Sequence, residues 1–120
     1  MKFKVPRKNT RPEDKRVKAI KDKLRCEGWY VIKTHGNAFQ SGLPDLYAIH
    51  RTYGTRWIEV KVDDKGSLTH DQMVVFNHFA QNNVGIYIMT HPDDYPNLFK
   101  PANWHWYLDP VSRKALFKRR

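Results

Sequence analysis

The sequence predicts an α/β domain: a mixed central β-sheet flanked by helices. Two observations carry that expectation. Apolar residues recur at helical spacing in 12–27 and again in 69–82, and short β-branched or aromatic runs stand between and after them. The resulting order is helix, three strands, helix, strand. The passage from the third strand through a helix to the fourth is long enough for a parallel crossover, so the sheet is expected to be mixed. A chain of 120 residues with 40% hydrophobic and 13% aromatic residues suits one folded core.

The elements follow in order. Residues 1–11 have no periodicity and read as a basic N-terminal arm, leaving 12–120 as a single domain. Thr10 can cap the first helix, with Pro12 just inside it and Glu13 and Asp14 in its first turn. Val17, Ile20 and Leu24 give that helix one narrow apolar face, and Gly28 ends it. Trp29–Thr34 is a strand, 35–42 a loop, Asp45–His50 a second strand, Arg51–Thr55 a turn, and Arg56–Val62 a third strand forming a hairpin with the second. Thr69 and Gln72 have capping-box spacing, followed by Val74, Phe76, Phe79 and Ala80 as apolar helix positions. Gly85–Thr90 is the fourth strand. Beyond His91 the chain reads as irregular, with a short strand at Trp104–Leu108.

Charge is unevenly spread. The net charge of +10 comprises +8 in residues 1–25, −3 in 26–112 and +5 in 113–120. Two basic ends suit a phosphate backbone and salt-dependent binding, with Lys2, Lys4, Arg7, Lys8 and Arg11 as candidate contacts that add affinity rather than sequence choice. A plain solvated surface fits the same charges. The single cysteine, Cys26, excludes an intramolecular disulfide and a cysteine-based zinc cluster, and reads as a buried thiol. No signal peptide and no run of about 20 apolar residues is present, so no membrane association is expected and the expected location is the cytoplasm, in a bacterium or a virus-infected host cell.

The hairpin holds more acid and base than strands require. Pairing His50 with Arg56 sets Asp45 opposite Lys61 and diagonal to Glu59, with Asp45, Glu59 and Lys61 on one face and Ile58, Val60 and Val62 directed to a core. Two carboxylates within joint reach of a cation, beside a lysine, suit Mg²⁺ or Mn²⁺ and the hydrolysis of a phosphodiester. A surface hairpin with a Lys–carboxylate pair is the alternative.

The motifs Ser41-Gly42-Leu43-Pro44-Asp45, then Ile58-Glu59-Val60-Lys61, then Leu68-Thr69-His70-Asp71-Gln72, resemble the PD-(D/E)XK nuclease superfamily, with Pro44-Asp45 as its PD and Glu59-Val60-Lys61 as its (D/E)XK. More narrowly they resemble the virus-type replication-repair nuclease (VRR-NUC) domain of the stand-alone viral or phage kind, and are similar to archaeal four-way-junction resolvases. The similarity spans roughly residues 12–90. It implies a restriction-endonuclease-like core and catalytic roles for Asp45, Glu59, Lys61 and Gln72. It also implies metal ligation by Asp45, Glu59, the Val60 carbonyl and Glu13, and a homodimer acting on DNA. The implied activity is metal-dependent DNA cleavage, selective for branched DNA such as four-way junctions. Cleavage of flapped or linear DNA in repair or restriction, or DNA binding without turnover, are the alternatives.

Several other residues bear on the site. His35 and Asn37, in the loop before the first motif, are candidate DNA contacts, and Trp57 shares the Glu59 face. None of the six histidines makes an i, i+4 pair, which argues against zinc, and His70 and His78 read as exposed. Trp104, Trp106 and Tyr107 read as core or dimer-interface residues, or as a stacking surface for bases.

Overall fold

The computed structural model of the chain describes residues 12–34, 41–62 and 67–108. Within these, α1 (Pro12–Cys26) leads into β1 (Tyr30–Lys33), β2 (Leu46–His50) and β3 (Gly54–Val60). Then come α2 (His70–Gln81), β4 (Ile86–Met89) and two 3-10 helices, Pro92–Phe99 and Trp104–Tyr107. The sheet order is β1-β2-β3-β4. The first three strands are antiparallel and β4 runs parallel to β3, so the sheet is mixed as the sequence predicts.

Two apolar layers sandwich the sheet. On one face Val17, Ile20 and Leu24 of α1 pack on Val31, Leu46, Ala48, Ile58, Val60 and Met89. Burying each of those helix side chains is worth roughly 1.5–3 kcal/mol, and this apolar stripe is what docks a helix otherwise covered in lysines. On the other face Phe76 of α2 packs on Ile86, Ile88, Leu68 and Trp104. Alternation along β3 and β4 divides the strands between the layers: Ile58 and Val60 meet α1, whereas Trp57 meets α2. On the α2 side of β1 and β2, Tyr30, Ile32 and Ile49 remain exposed.

Several expectations are corrected. The β2–β3 register is displaced by two residues: His50 pairs with Gly54 and Ala48 with Arg56. The cause is a tighter turn, only Arg51–Tyr53, closed by Gly54 at φ +85°. A two-residue displacement keeps every side chain on its expected face. Val62 lies beyond β3 and is exposed rather than in the core. On α2, Val74 and Ala80 face solvent, while Phe76, Met73, Val75 and Phe79 supply the packing face. Cys26 is exposed, because it follows Leu24 by two positions at the end of α1 and so leaves the apolar stripe.

The short strand expected at Trp104–Leu108 is a 3-10 turn. The free edge of β4 is instead occupied by one side chain: Asn103 Oδ1 accepts the Ile88 N–H at 2.7 Å, and Asn103 Nδ2 donates to the Ile88 carbonyl at 3.3 Å. A primary amide reproduces both halves of a strand pairing at this residue. Replacing Asn103 by Ala leaves two polar backbone groups without that partner and is expected to destabilise the fold by about 1–3 kcal/mol, read as a lowered urea midpoint at unchanged m-value.

Candidate active site

Asp45 stands immediately before β2, and its placement is local work by the neighbouring strand. The Thr34 N–H donates to the Asp45 carbonyl at 2.9 Å, and the Thr34 hydroxyl donates to the Pro44 carbonyl. These bonds continue the β1–β2 ladder past its formal end. The Asp45 side chain then turns across to β3, where Oδ2 accepts the Val60 N–H at 2.9 Å. The carboxylate thus takes a ladder position that the β2 backbone no longer supplies. Extended by one step, the observed register sets Asp45 directly opposite Glu59, closer than the diagonal the sequence suggests.

Gly42 explains the small residue before Leu43-Pro44-Asp45. Its φ is +94°, and a Cβ there would lie 2.6 Å from the Asp71 carbonyl oxygen and 2.9 Å from Val75 Cγ2. The Asp71 backbone cannot move without shifting the start of α2, so only glycine lets the two segments close. Ser41 adds a hydroxyl donated to Asp71 Oδ2 at 2.6 Å. The loop that presents Asp45 is therefore fastened to the first turn of the helix that presents Gln72.

Glu59 is 2% exposed and is the one buried polar or charged residue among the described residues. Its Oε2 accepts from Gln72 Nε2 at 2.7 Å and lies 3.2 Å from Lys61 Nζ. Lys61 also donates to Gln72 Oε1 at 3.2 Å. That same oxygen accepts the Thr69 N–H at 3.0 Å, while Thr69 Oγ1 accepts the Gln72 N–H at 3.1 Å. The capping box anticipated from Thr69 and Gln72 is therefore also the bracket that orients Lys61 and Glu59.

The second oxygen, Glu59 Oε1, is buried with no hydrogen-bond partner. Burial is the main influence on the carboxyl group and Asp45's negative charge the next. Lys61 and Gln72 oppose them, and the outcome is a pKa pushed up to about 7. An unpartnered buried oxygen on a carboxyl group that also feels the charge of a second carboxylate is a donor set that a divalent cation fits, since a cation would supply the missing partner and offset the repulsion. Asp45, Glu59 and the Val60 carbonyl are the groups that could hold one.

Among the described residues no group of three or more His, Cys, Asp or Glu side chains has metal-holding geometry, so Glu13 is not brought to the pair. It lies exposed in the first turn of α1. His70 and His78 are both exposed, as the sequence predicts. Trp57 packs beside the site, with its ring centroid 4.3 Å from Tyr47 and 5.2 Å from Phe79. Trp104 is buried in the α2 layer and Trp106 is exposed. Lys2, Lys4, Arg7, Lys8, Arg11, His35 and Asn37 lie outside the described residues. Sequence reasoning missed Asn103, the Ser41–Asp71 bond and the contact at Gly42. The glycine was the only visible signal, and its reason lies about thirty residues away on α2.

A solved structure of a VRR_NUC domain matches this arrangement with a TM-score of 0.63 and 21% identity, over 74% of this chain and 95% of that one. The chain has the VRR_NUC fold. No protein-family model matches the sequence, and no curated protein matches it either. In this VRR_NUC fold the three motifs sit at the entry to β2, the end of β3 and the start of α2, which is where the site described above is assembled.

The raised pKa of Glu59 ties stability to pH. Its folded value, about 7, exceeds the ordinary 4.5, so its contribution to stability is complete below about 4.5 and is lost as pH rises through 7. In metal-free buffer, Glu59→Gln is expected to flatten the pH dependence of stability between pH 4.5 and 7 and to raise the melting temperature relative to wild type at pH 8. Parallel calorimetric melts of the two proteins cancel the contributions of groups that do not interact with Glu59.

Proposed function

We propose that the chain is a divalent-metal-dependent DNA endonuclease that hydrolyses phosphodiester bonds. The observation that carries this reading is the convergence of Asp45, Glu59, Lys61 and Gln72 around one unpartnered buried carboxylate oxygen. A purely structural Lys–carboxylate pair would leave no oxygen orphaned, because the cost of about 1–3 kcal/mol serves nothing in folding. Likeness to a structure of a VRR_NUC domain supports the same reading.

A bound Mg²⁺ or Mn²⁺ would lower the pKa of a water and offset charge building on the phosphate. Asp45, Glu59 and the Val60 carbonyl would hold it. Lys61 Nζ, aimed by Gln72 Oε1 and Glu59 Oε2, orients the attacking water and donates to a phosphate oxygen. The water oxygen forms the new bond to phosphorus, the bond to the leaving sugar oxygen breaks, and that oxygen takes up a proton. Gln72 is a positioning residue, since it acts through Lys61 and Glu59.

Branched DNA is the proposed substrate, supported by the resemblance of the motifs to the stand-alone phage type. A two-fold dimer would bring two sites to one junction, and the exposed Tyr30, Ile32 and Ile49 strip is the apolar surface such a dimer would cover. Light scattering should give the mass of a dimer for wild type and of a monomer for Tyr30→Lys.

Cleavage of an end-labelled four-way junction, flap, duplex and single strand in Mg²⁺ or Mn²⁺ tests the whole reading. Lys61→Ala is expected to lower the rate about 10²–10⁴-fold, and Gln72→Ala about 10–100-fold with little change in DNA affinity. Equal cutting of all four DNAs removes the junction preference and keeps the nuclease. Binding without cutting in either metal overturns the catalytic reading.

A further inference from the structure

We propose that a cleft between α1 and the first 3-10 helix holds a DNA backbone phosphate flanking the one cut, with Lys15 and Arg16 as its cationic ligands and His91 as a further donor. This rests on the endonuclease reading and names how that site is extended along the strand.

The cleft has a volume of about 440 Å³ and is lined by Pro12, Lys15, Arg16, Ala19, His91 and Pro92. Its position is what gives it meaning. The Lys61 N–H donates to the Met89 carbonyl at 3.1 Å, joining the backbone of that lysine to the last residue of β4. The next carbonyl along, that of Thr90, accepts from Arg16 Nη1. Standard bond spacings then put the Arg16 guanidinium roughly 10 Å from the Lys61 backbone. Both sit at the same end of the sheet. Arg16 belongs to the α1 side and the Lys61 side chain to the α2 side, so a strand passing over that end of the sheet would run from the reacting phosphate to the cleft within a few phosphates. The larger cavity, about 600 Å³ and lined by Asn77, Gln81, Gly85 and Trp104 among others, lies by the opposite end of β4 and is not on that path.

The lining chemistry suits an oxyanion. Arg16 brings a planar fork of N–H donors, held in place by the bond to Thr90, and Lys15 brings an ammonium on an exposed side chain. His91 Nδ1 accepts the Asp93 N–H at 3.0 Å. The Asp93 carboxylate lies 3.4 Å from the same nitrogen, so the acid side of this turn is engaged at Nδ1 and Nε2 is the ring atom left to meet a ligand. Four acids stand nearby in sequence: Glu13, Asp14, Asp93 and Asp94. None lines the cleft. Asp94 Oδ2 is taken by the Thr90 N–H and hydroxyl at 2.8 and 3.0 Å. The acids therefore weaken the local field without occupying the concavity where the donors converge.

The test is equilibrium binding of a fluorescein-labelled four-way junction and of its duplex arm in EDTA, where no cutting occurs, across a series of salt concentrations. Lys15→Ala is expected to weaken binding several-fold and to reduce the slope of log Kd against log salt by about one, the signature of one lost phosphate contact. Lys15→Arg should restore both. Lys23→Ala removes the same charge eight residues along the same helix, about 12 Å away, and should leave the slope unchanged. Equal effects from Lys15→Ala and Lys23→Ala, or none from either, overturn the cleft while leaving the endonuclease standing. Failure of wild type to bind either DNA overturns the endonuclease reading itself. Lys15 is exposed, so melts of the two Lys15 variants should coincide with wild type.

Discussion

The fold is arranged around a carboxyl group that has no business in a protein interior. Glu59 lies on β3 between two apolar layers, and burying a carboxylate is costly unless hydrogen bonds replace the lost water. Gln72 and Lys61 supply those bonds to one oxygen. For both to reach, α2 must begin directly over the end of β3, and Lys61 must leave that strand on the same face as Glu59. The crossover from β3 through α2 to β4 meets both conditions. Gln72 then serves twice, since the oxygen that closes the helix cap also receives the Lys61 ammonium. Helix start and site geometry are one network, so neither can shift alone.

The apolar layers hold that network in register. Ile58 and Val60 face α1 while Trp57 and Glu59 face α2. A one-residue slip of β3 would turn Glu59 and Lys61 into the α1 layer and carry Ile58 and Val60 away from it, which the apolar α1 layer forbids. The same constraint fixes Asp45. Its side chain accepts from the Val60 N–H, so the loop that carries Asp45 is tied to the strand that carries Glu59. Gly42 and Ser41 complete the arrangement by fastening the approach to Asp45 onto α2. An incoming phosphate would meet groups that need little reorganisation, which is where preorganised sites gain rate.

Folding does not explain the remaining oxygen of Glu59. An unpartnered buried acceptor weakens a protein, and such costs persist where function uses them. The repulsion from Asp45 adds to the cost and helps lift the Glu59 pKa to about 7. A divalent cation held there would relieve both at once, which would couple stability to ligand binding at this point. Among the described residues, the α1 cations that would receive DNA, Lys15 and Arg16, stand apart from the carboxylates, with Arg16 joined to the site through the end of β4. That separation keeps them from neutralising the acids that would hold a metal.

Much was legible in the amino-acid sequence because it was local. The stripe of Val17, Ile20 and Leu24, the capping pair Thr69 and Gln72, and the alternation through Glu59 and Lys61 are short-range patterns whose periods follow from backbone geometry. They determined the element order, the faces of the strands and which acid and base residues share one face. What the sequence could not decide was long-range or set by turn geometry. The turn at Arg51–Tyr53 moved the pairing by two residues, the full span of one side-chain alternation, so faces survived while partners changed. Asn103 on the β4 edge and Gly42 against Asp71 join segments distant in sequence, as does Arg16 beneath Thr90, and no periodicity announces such contacts. Local pattern chose the chemistry, and only packing could decide which groups meet, because each of those contacts depends on where two independently formed elements come to rest.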